Sequence, residues 1–402
     1  MIPVEEARER ILRALSPTAE EVVPLPAAWG RVLARPVVAR LRQPPQDVSA
    51  MDGYAVRAAD AVAGARLRVV GTAPAGHPFA GRIGPGEAVR LFTGAFVPAG
   101  ADAVVIQEDT TAEGEDSVLI REPARPGRHV RRAGLDFATG ETLLEPGRRL
   151  TARDVGLAAA ANHPWLTVHR QPRIGILATG DEIFLPGEPL PTGGIVSSNS
   201  HALSAVVRAA GGDPLLLPIA PDDTHAIAAA AMAARHCDLL LTTGGASVGD
   251  HDLIQAALGP HGFALDFWKI AMRPGKPLIW GRLGDTPVLG LPGNPVSTMV
   301  CAVLFLLPAL ARLAGLPAGP PPLDIALAGT DLAANDRRLD HLRARTGRDA
   351  SGRLVATPFP TQDSSMMATL ARAEALIVRP AHAPAVPAGA PIEVILLERL
   401  GI

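Results

Sequence analysis

Residues 239–252, Leu239-Leu-Leu-Thr-Thr-Gly-Gly-Ala-Ser-Val-Gly-Asp-His-Asp252, constrain the fold more than any other stretch of this chain. A strand-forming apolar run after Asp238 breaks at Gly244-Gly245. Asp250 then stands just before Leu253-Ile-Gln-Ala-Ala-Leu258, which reads as a helix. In open α/β sheets a buried strand, a glycine turn and a helix start commonly hold an anion. Glycines let backbone N–H groups approach it, and the helix N-terminus adds partial positive charge. The loop admits three chemical readings. Gly245-Ala-Ser-Val-Gly249 formally matches the nucleophile elbow around Ser247, but no HGGG-like oxyanion segment accompanies it. Gly244 and Gly249 have P-loop spacing, but Asp250 stands where that motif needs Lys. The third reading is a backbone nest for a phosphorylated ligand, with nearby acids holding a divalent cation. Taken alone, a tight glycine turn with a solvated acid explains the loop equally well.

The rest of the chain narrows the choice. With 402 residues it is too long for one core, so two to four domains are expected. A net charge of −2 gives no support to a nucleic-acid or membrane surface, and any anion site must be local. Cys237 and Cys301 cannot form a disulfide framework and read as small core residues. The first residues are acidic and lack an apolar signal core, and the apolar run from Met299 ends at Pro308, too short to span a bilayer. A cytoplasmic location is expected.

Read in order, the chain changes texture several times. Val4 to Leu15 reads as an amphipathic helix, and Val32 to Ala39 as an extended piece. From Leu67 to about Pro126, short β-like runs are cut by Gly and Pro, the pattern of a small all-β insert. Leu150 to Ala161 reads as a helix packing with the first one. The expected division is a discontinuous, mainly helical N-terminal domain (1–45 and 140–172) with an inserted β domain (46–139). From Arg173 strands and helices alternate, with strands at Ile174–Ala178, Leu215–Ile219, Leu239–Thr243 and Val288–Leu291. Helices start near Asn199, Asp223 and Asp252. This predicts an open, doubly wound parallel sheet over 173–316, closed by a buried helix from Val296 to Ala314. After the linker at 317–322 comes a small β domain, 317–402.

Polar residues gather where the central strands should end, the binding edge of such sheets. The first strand ends in Thr179-Gly-Asp-Glu182, the third in the glycine loop with Asp250 and Asp252, the fourth in Leu291-Pro-Gly-Asn-Pro-Val-Ser297. Trp268-Lys-Ile-Ala-Met-Arg-Pro-Gly-Lys276 adds Lys269, Arg273 and Lys276, with a Pro-Gly turn able to aim the last two together. Acids on one side and cations on the other suit a phosphoanhydride bound through a metal. In the first half, Ser49-Ala-Met-Asp-Gly-Tyr-Ala55, Phe92-Thr-Gly-Ala95 and Arg131-Arg-Ala-Gly-Leu-Asp136 are further polar glycine turns, which spacing alone does not place at this edge.

Together these stretches, with Gly30-Arg-Val-Leu-Ala34 and Gly100-Ala-Asp-Ala-Val-Val105, resemble the MoeA-type molybdopterin molybdenumtransferases and the related E domain of gephyrin. The resemblance runs nearly end to end and rests on eight motifs in order. It implies an elongated homodimer of four-domain subunits, in which the α/β domain of one subunit faces the partner's inserted β domain across the active-site cleft. The implied substrates are molybdate and adenylylated molybdopterin. The adenylate is cleaved with a divalent ion, Mg²⁺, AMP leaves, and molybdenum remains on the dithiolene. The implied catalytic residues are Asp52, Thr93, Asp136, Glu182, Asp252, Lys269, Arg273 and Lys276, with Glu182, Asp250 and Asp252 as metal ligands. Thr179, Gly180, Asp181, Ser198, Asn199 and Asp222 would bind the molybdopterin ligand. So would Gly244, Gly245, Ser247, Gly249 and Asp250 of the glycine loop, and Pro292, Gly293, Asn294, Pro295 and Ser297.

The chain departs from the family pattern in places. Leu135 stands where Glu commonly precedes the acid at Asp136. Gln362-Asp-Ser-Ser365 matches the family's C-terminal Ser/Gly turn only loosely, and Glu374 replaces Asn in Ala373-Glu-Ala375. The resemblance makes the pathway's adenylyltransferase and molybdoenzyme apoproteins candidate partners; with a net charge of −2, neither nucleic acid nor a membrane is expected as a partner. Two other functions compete: a non-catalytic molybdopterin-binding scaffold of the same fold, and an adenylyltransferase. Asp52, Asp136, Glu182, Asp252 and Lys269 argue against the first, and segments 1–172 and 317–402 against the second.

Overall fold

The computed structural model describes residues 1–244 and 251–401, without the side chains of His251 and Asp252. The roles expected of Gly245, Ser247, Gly249 and Asp250, and of the Asp252 carboxylate, fall outside the described residues.

The central domain is built on a six-stranded sheet. Asp213–Leu216, Arg173–Ala178, Leu239–Thr243 and Thr286–Leu291 lie side by side, followed by Ile279–Leu283 and Phe263–Trp268. The first four are mutually parallel and the last two pair antiparallel. The expected parallel sheet is therefore mixed at one edge. Gly284-Asp285 is a two-residue loop in which Gly284 takes φ +58°, and such a loop can only return the chain beside itself. The helices Asn199–Ala209, Thr224–Ala233 and His251–Leu258 connect the strands, with Asp223 capping the second through Ala226 N–H at 2.8 Å.

Pro295–Leu313 is one long apolar helix, its best window 78% buried. Residues Ala302–Leu306 form a π turn within it, just before Pro308, which has no N–H to continue the α ladder. By length and composition this helix could cross a membrane, but its side chains are those of the central core.

The first helix, Val4–Arg13, differs from expectation. Val4, Ala7, Ile11 and Leu15 join Ile174, Leu203, Phe305 and Leu310 in the central core instead of packing on the helix Ala152–Ala160. The latter packs with Val23, Leu33, Leu144 and Leu166 around short antiparallel strand pairs. The inserted domain is a second six-stranded sheet, including Gly53–Val56 and Glu87–Leu91. The C-terminal strands Leu339–Arg348, Leu354–Pro358, Asp324–Ala328, Pro391–Leu396 and Ala375–Arg379 pair in a closed ring. Met272–Arg273, from the central domain, adds alongside Leu339-Asp340.

Candidate active site

Strand register fixes what meets at the carboxyl edge of the central sheet. Trp268 pairs with Ile279, Ile279 with Gly290, Gly290 with Thr242, and Thr242 with Leu177. The segments that follow these residues therefore emerge side by side: Thr179 to Glu182, Gly244, Pro292 to Asn294, and the 269–276 connection. The strands bearing Glu182 and Lys269 are four spacings apart in the sheet order, or about 19 Å at ~4.8 Å per strand.

At one end, Gly180 takes φ +143°, and a Cβ there would lie 2.6 Å from a Glu182 carboxylate oxygen. Asp181 Oδ1 accepts the Asp222 backbone N–H at 3.0 Å, which ties in the loop before the Asp223 cap. The Glu182 carboxylate is exposed and has neither hydrogen bond nor ion pair among the described residues. Thr179 Oγ1 is buried and without a partner. A hard oxygen ligand and an unsatisfied hydroxyl at one strand end fit a divalent cation and a polar ligand.

In the middle, Gly244 takes φ +91°. A Cβ would sit 2.3 Å from the Thr179 carbonyl oxygen, so only glycine fits. Asn199 Nδ2 donates to Thr243 Oγ1 at 2.9 Å and to the Gly293 carbonyl at 2.7 Å, bridging two strand ends from the start of a helix. Ser198 precedes that helix without a side-chain capping bond, and Ser297 is buried. Pro295 opens the long helix. Asn294 Nδ2 donates to Ser364 Oγ at 2.9 Å, and Val296 N–H donates to the Ser364 carbonyl at 3.1 Å. The C-terminal domain thus reaches the edge through Ser364. The reading from sequence had only a loose motif there. Buried Arg343 secures that turn, donating to Gln362 Oε1 at 3.2 Å and to the Asp363 carbonyl at 2.8 Å.

The three cations are not equivalent. Lys269 Nζ lies 3.5 Å from the centroid of the Trp268 ring. Lys276 is partly buried, and its carbonyl accepts the Ile270 N–H at 2.9 Å. Arg273 is placed otherwise than expected. Its Nε donates to Asp340 Oδ1 at 2.8 Å, its Nη2 engages the other carboxylate oxygen, and Asp336 lies 3.5 Å from Nη1. The Asp340 carboxylate holds the guanidinium above its ordinary pKa. A fork engaged by a buried carboxylate joins the central and C-terminal domains, which leaves Nη1 as the part of the guanidinium without a hydrogen bond among the described residues.

A second cluster lies in the inserted domain. Gly53 pairs with Leu91, so Asp52 and Thr93 meet, and Asp52 Oδ1 accepts from the Thr93 N–H at 2.7 Å and its hydroxyl at 2.8 Å. These bonds hold the Asp52 carboxyl below the ordinary carboxylate range. Arg90 stacks 5.0 Å from the Tyr54 centroid and 5.3 Å from that of Phe92, and donates to Gln107 at 2.7 Å. Asp136 is exposed, its N–H donating to the Gln43 carbonyl at 2.9 Å. Among the described residues, no hydrogen bond or ion pair joins Asp52, Thr93 or Asp136 to the carboxyl edge. Nor is there a group of three or more His, Cys, Asp or Glu able to hold a metal.

Comparison with known proteins agrees along the chain. Residues 2–162 match the MoeA N-terminal region (domain I and II), 175–312 a probable molybdopterin binding domain, and 326–397 the MoeA C-terminal region (domain IV). The molybdopterin molybdenumtransferase of Haemophilus influenzae is 34% identical over 94% of each chain. That of Bacillus subtilis is 33% identical, covering 98% of this chain and 94% of its own. The solved structure of a molybdopterin biosynthesis MoeA protein from Pyrococcus horikoshii superposes with a TM-score of 0.87 at 30% identity, covering 98% of this chain and 99% of that one. With relatives matched over nearly its whole length and each domain assigned in order, the chain belongs to the molybdopterin molybdenumtransferases, transferases of molybdenum cofactor biosynthesis.

Proposed function

We propose that this chain transfers molybdenum from molybdate to adenylylated molybdopterin with release of AMP, as a cytoplasmic homodimer that depends on Mg²⁺. The observation that carries this reading is the edge itself. An unpaired carboxylate, Glu182, and a cation, Lys269, stand on strands about 19 Å apart at ~4.8 Å per strand, with glycine and Asn loops between them. An extended ligand with a phosphoanhydride near one end suits such a row better than a single small anion.

Glu182 and Thr179 would hold the divalent ion together with Asp252 and Asp250. When bound, the ion supplies charge neutralisation at the phosphoanhydride. The chain's own residues do the remainder. Asn199 keeps the Gly293 carbonyl and Thr243 at fixed separation, Gly244 lets the backbone approach the ligand, and Lys269 and Lys276 receive the molybdate dianion.

The shared site is supported by the separation of the two clusters and by what surrounds each. Met51 and Phe92 are exposed beside Asp52, and Leu185, Leu190, Ile195 and Val196 are exposed just beyond Glu182. Apolar rims around two half-sites suit closure by a second copy. The pathway's adenylyltransferase and molybdoenzyme apoproteins are the proposed donor and acceptor partners.

The test is AMP release from adenylylated molybdopterin in the presence of molybdate and Mg²⁺. Mixing an Asp52→Ala subunit with a Glu182→Ala subunit should recover activity, because one composite site is then intact. If mixed dimers stay as inactive as either parent, the shared site is wrong. If the parent protein releases no AMP under these conditions, the reaction itself is.

A further inference from the structure

Lys269 has φ +75°. Among the described residues the other non-glycine positions with positive φ are His129, Asn162 and His382. Asn and His tolerate this region through short polar side chains, whereas a lysine there is held against its preference. Something must hold it, and contacts from two directions do. Trp268 packs against the core cluster containing Leu240, Ile254 and Ile279, and the Lys269 ammonium lies over its ring at 3.5 Å. On the backbone side, Ile2 N–H donates to the Lys269 carbonyl at 3.2 Å, and Ala271 N–H donates to the Ile2 carbonyl at 2.9 Å. Residue 2 thus forms a short parallel bridge to Ile270, immediately after the strained position.

We infer that Trp268 and Ile2 are positioning residues that hold Lys269 in its left-handed conformation, with its ammonium fixed over the indole face and presented to the oxyanion substrate. The inference rests on the reading of Lys269 as an anion ligand. A freely rotating lysine would lose side-chain freedom on each binding event. Here the order is built into the free protein, and the indole face orients the charge without neutralising it, as a carboxylate would.

The experiment measures equilibrium binding of sodium molybdate, and its half-saturation in AMP release. Trp268→Leu removes the ring face and should weaken molybdate binding about fivefold to thirtyfold. The Michaelis constant for adenylylated molybdopterin and the urea midpoint should stay within about twofold. Trp268→Phe keeps a ring face and should recover most of the loss. Ile2→Pro removes the N–H given to Lys269 and tests the backbone bridge independently of the ring; it should weaken molybdate in the same direction. If Trp268→Leu and Ile2→Pro both bind molybdate like the parent while Lys269→Ala binds it poorly, the positioning role is refuted and the anion role stands. If Lys269→Ala itself binds molybdate normally, the anion role fails and the inference with it.

Discussion

Replacing Arg273 with Ala should loosen the C-terminal domain before it affects molybdate. The pair it forms with Asp340 combines a carboxylate 5% exposed and a guanidinium 47% exposed. Breaking a fully buried pair costs about 3–5 kcal/mol. A surface pair is worth about 0–1 kcal/mol. With one partner half in water, the structure places this pair between those limits, at about 2 kcal/mol. Most of that is the penalty of leaving Asp340 unpaired on a strand that adds Met272–Arg273 to the C-terminal ring. A double-mutant cycle with Asp340→Asn, read by urea denaturation, isolates the coupling. Arg273→Ala should lose about 2 kcal/mol, and the double variant less than the sum of the singles. The molybdate half-saturation should move by less than about threefold, since an anion contact worth 1.5 kcal/mol or more would move it at least about tenfold. A coupling under about 0.5 kcal/mol together with a roughly tenfold higher molybdate half-saturation would refute the assignment and return Arg273 to the anion site.

Gly244→Ala must place a Cβ 2.3 Å from the Thr179 carbonyl at φ +91°; the strand end should shift, and AMP release should fall about a hundredfold while circular dichroism is unchanged. Thr93→Val removes one of two bonds that depress the Asp52 carboxyl, so its titration by carboxyl NMR should move up in pH; no movement would show that the backbone bond alone sets it. His341 is buried with Nδ1 unpartnered, and burial pushes it down to about 4 from 6.5. The unfolded chain binds the proton that the folded one refuses, so stability should be full above about pH 6.5 and fall as pH drops toward 4, by roughly 3 kcal/mol in all. His341→Phe should flatten that slope in urea denaturation at pH 4.5 and 7.5.

The four parallel strands were legible because each is a short, largely apolar run closed by glycine or proline, and their polar ends fall at one edge by topology alone. The antiparallel pair departs from the expected all-parallel sheet, and Gly284-Asp285 between Leu283 and Thr286 is the local hairpin signal for it. The strand expected at Leu215–Ile219 lies at Asp213–Leu216. As an edge strand it tolerates Pro214, and pairing with Arg173–Ile176 sets its start. The helix Val4–Arg13 shows a different limit. Its apolar stripe declares that one face is buried, but no local pattern states that the partner is Phe305, some three hundred positions on.

The cation cluster shows why side-chain density is a weaker guide than register. Lys269, Arg273 and Lys276 read alike along the chain, yet Met272–Arg273 is drawn into the C-terminal ring while Lys269 stays at the end of the Phe263–Trp268 strand. Asp340, 67 residues after Arg273, consumes its charge. Asp340 is 3% exposed, and a buried carboxylate requires a partner, but the polar stretch Arg338-Leu-Asp-His-Leu-Arg343 does not announce that burial. Once Arg273 is spoken for, the described edge offers two lysine charges against Glu182, Asp181 and Asp222 at the far strand. Fixed positive charge then lies only at the Lys269 end. A substrate bearing a phosphoanhydride at the Glu182 end would meet carboxylates unless a cation arrived with it. On the proposed reaction, that cation would be the divalent ion, because Arg273 is already engaged by Asp340.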